Sequence, residues 1–219
     1  MMAKKQQKLD ADSPFGRAIT EKDRKKAIAI ARNDPKVPQL KLPSPSGYER
    51  ALHAAVRIKS AELAEVLLGL GSKVDMPDGK GYTALFLAPE LYAPVEVVKV
   101  LVEHGANIHV DNDAPLWSAI WQVSYGFGGM PIVRYLVDRG SHPRGLTHAA
   151  ETGNLRVVPL LLKLGANVNE LDDHGKIPLD YATGAAHTFM ESHVKKKSGN
   201  LPSVEAFLRE RGGKLSAEL

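Results

Sequence analysis

Apolar residues recur three and four apart in five segments of the chain, and each segment closes on a glycine. The segments are Ala61–Gly71, Val95–Gly105, Met130–Gly140, Leu155–Gly165 and Val204–Gly212. Each predicts a helix whose glycine stands where a left-handed residue ends the last turn. The closing glycines are unevenly spaced, so a simple period does not describe the chain. The intervening residues restore a common register. After Gly71, Gly105 and Gly165 comes a short extended stretch, and two of these lead into turns rich in Asp and Gly, Asp78–Gly81 and Asp172–Gly175. A second, alanine-bearing helix follows in every case, at Ala51–Ala55, Thr83–Ala88, Pro115–Ala119, Leu146–Ala150 and Pro178–Ala182. The unit is a turn, a short helix, a longer helix and another turn.

One such helix pair cannot bury both of its apolar faces, so the units must stack, and three or more are needed for stability. Leu67, Leu68, Val98, Leu101, Val133, Leu136, Leu161 and Leu162 are the predicted core, and the alanines of the short helices let neighbours approach closely. The polar residues Arg209, Glu210, Arg211 and Lys214 suit a terminal unit that faces water. Pro159 lies inside a predicted helix, where it removes a hydrogen bond.

This unit resembles the ankyrin repeat, whose signature runs T-P-L-H-x-A within about 33 residues. The nearest matches are Ala51–Ala55, Gly165–Asn169 and Gly175–Ala182. The resemblance implies an all-α fold, an ankyrin-repeat solenoid of stacked helix-turn-helix units with short β-turn tips. Five repeats cover residues 46–219. The third loses turn residues around Asp113 and gains residues around Tyr125–Gly129, the fourth lacks most of its turn, and the fifth carries an insertion at 184–201. Residues 1–13 read as a disordered basic tail. Residues 14–45 read as a capping helix, over 20–33 with Thr20 and Asp23 at its start, followed by a Pro-rich linker from Pro35.

Composition narrows the chemistry. The 219 residues include no cysteine, which removes disulfides, thiolate metal clusters and cysteine nucleophiles. The net charge of +4 is local: residues 1–45 hold 11 Lys/Arg against 5 Asp/Glu, leaving 18 against 20 for the remainder. A basic, nucleic-acid-binding body is therefore not implied. No apolar run reaches the roughly 20 residues of a membrane-spanning helix, and the first residues lack the apolar core of a signal peptide. An intracellular protein, cytoplasmic, nuclear or both, is the expectation.

Candidate chemistry is sparse. His104 with His109, and His142 with His148, match no metal-ligand spacing, so no metal is expected. There is no Gly-x-Ser-x-Gly, phosphate-binding loop or Gly-x-Gly-x-x-Gly, and the Asp172–Asp173 pair lies on an open turn. No enzyme activity and no cofactor are expected. The lysines 195–197 and the N-terminal lysines suit either solvated segments or phosphate contacts; without interleaved aromatics, a nucleic acid partner is not expected.

The resemblance instead implies a partner protein, held by turn tips and the inner face of the short helices, with the chain itself a monomer. By register that face takes Arg57, Lys80, Tyr82, Glu90 and Leu91, then Trp121, Gln122, Glu151 and Thr152, then Asp173, His174 and Lys176. Trp121 is either an interface anchor or local core beneath the Tyr125–Gly129 insertion. The resemblance also implies a structural role for His53 in its own turn, and makes Asn169 a candidate for side-chain hydroxylation. The alternative function is attachment to nucleic acid or an anionic surface through residues 1–45.

Overall fold

The computed structural model describes residues 10–44, 47–111, 113–124, 126–142, 145–172, 174–184 and 201–219. Residues 1–9 of the expected tail, lysines 195–197, and Asp173 lie outside that set. The chain divides into two compact units, Met1–Val110 and Asp111–Leu219.

The first unit holds six α-helices and a short 3-10 helix, Val37–Gln39, among the described residues. The α-helices are α1 (Pro14–Thr20), α2 (Arg24–Asn33), α3 (Ala51–Arg57), α4 (Ala61–Gly69), α5 (Ala84–Glu90) and α6 (Val95–Glu103). α3 with α4 and α5 with α6 are two repeats: the short helices α3 and α5 pack together, as do the longer α4 and α6. Leu67, Val98 and Leu101 are fully buried between them. The closing glycines adopt the expected conformation. Gly71 has φ +91°, and the Ser72 amide reaches back to the Leu67 carbonyl at 2.9 Å, which completes the helix cap.

The region before the first repeat differs from the sequence reading. The helix expected over 20–33 begins later, as α2 at Arg24, and a second helix, α1, that the sequence reading did not expect precedes it. Thr20 ends α1, donating its hydroxyl to the Gly16 carbonyl, and Asp23 caps α2 by accepting from the Lys26 amide at 2.9 Å. Lys22, at φ +57°, makes the turn between them. The proline-rich stretch is also folded. Lys41–Ser44 (β1) and Gly47–Arg50 (β2) form an antiparallel hairpin that places Leu42 opposite Glu49. Both of those side chains are buried. Pro43 is tolerated because a two-stranded hairpin has edges whose amides need no partner.

The second unit repeats the scheme with α7 (Ala114–Ser124), α8 (Met130–Asp138), α9 (Leu146–Glu151), α10 (Val157–Lys163), α11 (Pro178–Ala182) and α12 (Leu201–Glu210). The first helices of the repeats, α7, α9 and α11, are neighbours in that order, although α7 is longer than its partner α8. Val133, Leu136 and Leu161 are fully buried, whereas Leu162 is only partly covered. Pro159 is accommodated because α10 begins at Val157. The proline falls in the first helical turn, where an amide has no intrahelical acceptor to lose.

Candidate functional site

The turn tips are built by aspartates. Asp78 accepts the amides of Lys80 at 2.8 Å and Tyr82 at 3.0 Å on one carboxylate oxygen, while its own amide donates to the Tyr82 carbonyl at 2.9 Å. Asp172 does the same in the second unit, accepting from His174 and Lys176 at 2.9 Å each. Its other oxygen accepts the Tyr181 hydroxyl at 2.6 Å. Burial raises the Asp172 carboxyl, but these donors together outweigh it and hold the group below the ordinary carboxylate value. Each tip is thus fixed by its own side chain.

His53 joins a short helix to the next tip. Its Nε2 donates to the Tyr82 carbonyl at 2.9 Å, so it bonds the turn of the following repeat rather than its own. The ring is 1% exposed. Burial is the main reason its pKa is lowered, which keeps it neutral and leaves Nδ1 an acceptor. That Nδ1 is buried without a hydrogen-bond partner among the described residues.

The residues expected on a binding face divide into three groups. Lys80, Tyr82, Glu90 and His174 are exposed, and Leu91, Trp121, Glu151 and Lys176 are half-buried at the surface. Tyr82 stacks on Phe86 with ring centres 4.5 Å apart, and Trp121 stacks on Phe127 at 6.2 Å. Trp121 is thus partly roofed by the loop before Gly129 and partly open.

Arg57 is half-buried and paired with Glu49. Its Nε donates to both oxygens of Glu49, at 3.0 and 3.1 Å, and its Nη2 also meets Glu49 Oε1. Burial pushes the Glu49 carboxyl up, and the Arg57 guanidinium opposes that shift.

Two expectations are corrected. Gln122 is 3% exposed and Thr152 is 5% exposed, so neither reaches a partner. The Phe127 amide folds back onto the Gln122 carbonyl at 2.8 Å, which covers the end of α7. Thr152 turns its hydroxyl into α9, donating to the His148 carbonyl at 3.0 Å. Asn169 is also engaged. Its Nδ2 donates to the Gly212 carbonyl at 3.0 Å, and its Oδ1 accepts the Lys214 amide at 2.8 Å. The side chain therefore ties the segment after the last α-helix to the turn after α10.

Sequence reasoning missed Trp117, which is 48% exposed and lies 5.6 Å from the His148 ring. By register it occupies the slot that His53 holds in the first repeat. The signal lay in the shortened turn before α9, which cannot cover that slot as Tyr82 covers His53.

The paired helices, glycine caps and aspartate-built tips define an ankyrin-repeat protein. The chain belongs to that family. Residues 28–112 and 52–145 match the family described as ankyrin repeats (3 copies), and residues 146–173 match the single ankyrin repeat. Over 143 residues it is 33% identical to the potassium channel AKT2/3 of Arabidopsis thaliana, covering 63% of this chain and 18% of the channel. Over 144 residues it is 29% identical to the B-cell lymphoma 3 protein homolog of Mus musculus, covering 61% of this chain and 32% of that protein. It is 28% identical over 136 residues to the putative palmitoyltransferase ZDHHC13 of Danio rerio, covering 62% and 17%. The chain thus spans less than a third of each of these relatives. The fold matches the crystal structure of the ankyrin repeat domain of Bcl-3 with a TM-score of 0.71 at 22% identity, over 94% of this chain and 88% of that one. Ankyrin repeats are generally protein–protein interaction modules. Among the described residues no helix is long and apolar enough to cross a membrane.

Proposed function

We propose that the chain is a non-enzymatic interaction module that binds a partner protein on the concave face of its repeats, through the turn tips and short helices of each unit. The observation that carries this reading is the rigidity of the tips. Asp78 and Asp172 fix their turns from within, so Lys80, Tyr82, His174 and Lys176 are presented at little ordering cost. Tyr82 and Trp121 supply amphipathic aromatic area of the kind that anchors interfaces. Gln122 and Thr152 have no part in this face, Arg57 stays at its edge with its guanidinium held by Glu49, and Asp173 stays in it by register alone. The protein acts as a monomer in the cytoplasm, the nucleus or both.

A quantitative pull-down from source-cell lysate, comparing wild type with a Tyr82→Ala/Trp121→Ala variant of verified folding, tests the reading. Selective loss of a bound protein is the expected result. Identical bound proteins on both would remove this face.

The charge excess confined to residues 1–45 favours a second reading, in which that extension attaches the repeats to nucleic acid or an anionic surface. Such attachment weakens log-linearly with salt and vanishes when residues 1–45 are deleted. Binding on the repeats survives the deletion.

A further inference from the structure

His53 lacks the donor that the start of its own helix could supply. Arg50 is the N-cap residue of α3 and makes no side-chain cap bond. Thr83, at the same place before α5, brings a hydroxyl to its helix and accepts the Phe86 amide. With Nε2 given to the Tyr82 carbonyl, the neutral His53 ring presents Nδ1 as an acceptor. That atom is buried with no partner among the described residues, and the Ser72 hydroxyl oxygen is in the same state.

Both residues line one cavity of about 290 Å³. It lies between the segment before β1, the start of α3 and the stretch after α4, all within the first unit. Pro35, Pro38, Leu52, Leu70 and Met76 give it apolar walls. Pro35, Leu70 and Lys73 are exposed, so its mouth reaches the surface. At ~30 Å³ of liquid volume per water, the space exceeds what the one or two waters needed by Nδ1 and the Ser72 hydroxyl would fill. It is close to the lower end of small-molecule sites. The charged side chains on its lining are Arg50 and Lys73. Asp78, whose carboxylate accepts the Lys80 and Tyr82 amides, is not among them.

We propose that this cavity binds a small neutral molecule, an apolar ring bearing a hydroxyl, with the hydroxyl proton given to His53 Nδ1 and the Ser72 hydroxyl donating to an oxygen of the ligand. The site does not depend on the partner-protein reading. A hydroxyl both donates and accepts, which matches a buried acceptor beside a buried hydroxyl. A molecule with no polar group leaves both buried atoms unanswered. A carboxylate brings no donor to Nδ1, and a cation meets Arg50 and Lys73. A rigid ring loses little freedom on entering, and the Met76 thioether makes favourable contact with an aromatic one.

The test uses the full chain labelled with nitrogen-15 and titrates it with phenol, with toluene, benzoate and benzylammonium as controls. The readout is the His53 imidazole nitrogens and the Ser72 amide. Phenol gives a saturable shift at both, and toluene binds about fivefold to tenfold more weakly, the loss of one hydrogen bond to a buried acceptor. Benzoate and benzylammonium give no saturable shift at His53. Ser72→Ala keeps the fold and weakens phenol binding by about threefold. Arg50→Thr, which offers Nδ1 a hydroxyl from within the protein, brings phenol down to the level of toluene while the variant melts cooperatively. No saturable shift at His53 would mean that water alone fills the cavity and overturns the inference. Tighter binding of benzoate or benzylammonium than of phenol overturns it too. So does equal affinity for phenol and toluene, or phenol binding that neither variant changes.

Discussion

Arg50→Thr should stabilise the protein. Arg50 is the N-cap residue of α3 with φ −92° and ψ 165°, yet its side chain makes no cap bond. Thr83 holds the same place before α5 with φ −82° and ψ 163° and accepts the Phe86 amide at 3.1 Å. A threonine at position 50 therefore needs no change of backbone. Its hydroxyl oxygen can accept the His53 amide, and its proton can go to His53 Nδ1, which is buried without a partner among the described residues. A cap contributes about 1 kcal/mol. Satisfying a buried acceptor contributes about another 1 kcal/mol. Against this stands the loss of the exposed bond from Arg50 Nε to the Pro77 carbonyl at 3.1 Å and of the guanidinium 5.8 Å from the Tyr48 ring centre, together about 0.5–1 kcal/mol. The net gain is about 1 kcal/mol, which for a chain of this length raises Tm by roughly 2–4 °C. Circular dichroism melts and urea titrations of wild type and variant measure it. In a His53→Ala background the gain should shrink to that of the cap alone. An unchanged or lowered midpoint refutes the register on which the repeats are aligned. An equal gain in both backgrounds refutes the bond to Nδ1.

Three further outcomes follow from the same geometry. Gly129→Ala should lower stability by about 2 kcal/mol or more, because the residue has φ +86° and a Cβ would sit 2.5 Å from the Ala119 carbonyl oxygen; a melt within a degree of wild type contradicts this. Asp180→Ala should cost about 2–3 kcal/mol, since its buried carboxylate accepts the Ile177 amide at 3.1 Å and the Ser216 amide at 3.0 Å; hydrogen exchange should quicken at both amides. The neutral, buried His53 gives stability that is fully present above its ordinary pKa of 6.5 and falls as pH drops below that value, since the unfolded chain takes up the proton first. Urea midpoints between pH 5 and 8 should show this slope in wild type and lose it in His53→Gln.

The repeat architecture was legible because its punctuation is local. A glycine that closes a helix, or an aspartate that folds a turn onto its own carboxylate, needs no distant partner, so Gly71, Gly165, Asp78 and Asp172 could be read from the chain alone. What escaped depended on neighbours. The β1–β2 hairpin is four residues to a strand, too short for alternation to stand out among prolines, and its buried Glu49 makes sense only once Arg57 is beside it. Gln122 and Thr152 occupy surface positions by register, but the loop that returns over α7 and the last turn of α9 withdraw them. Trp117 escaped for the opposite reason: it becomes prominent through residues that are missing, in the shortened turn of the next repeat.

The claim that the turn tips and short helices carry the interaction is tested most directly by site-specific photo-crosslinking in source-cell lysate. A photoreactive residue placed at Lys80 or His174, on the tips, should join the chain to the same partner protein. The same residue at Lys99 or Lys163, on the longer helices α6 and α10, should give none of that product. Equal crosslinking from the longer helices, or crosslinking from them alone, would contradict the account.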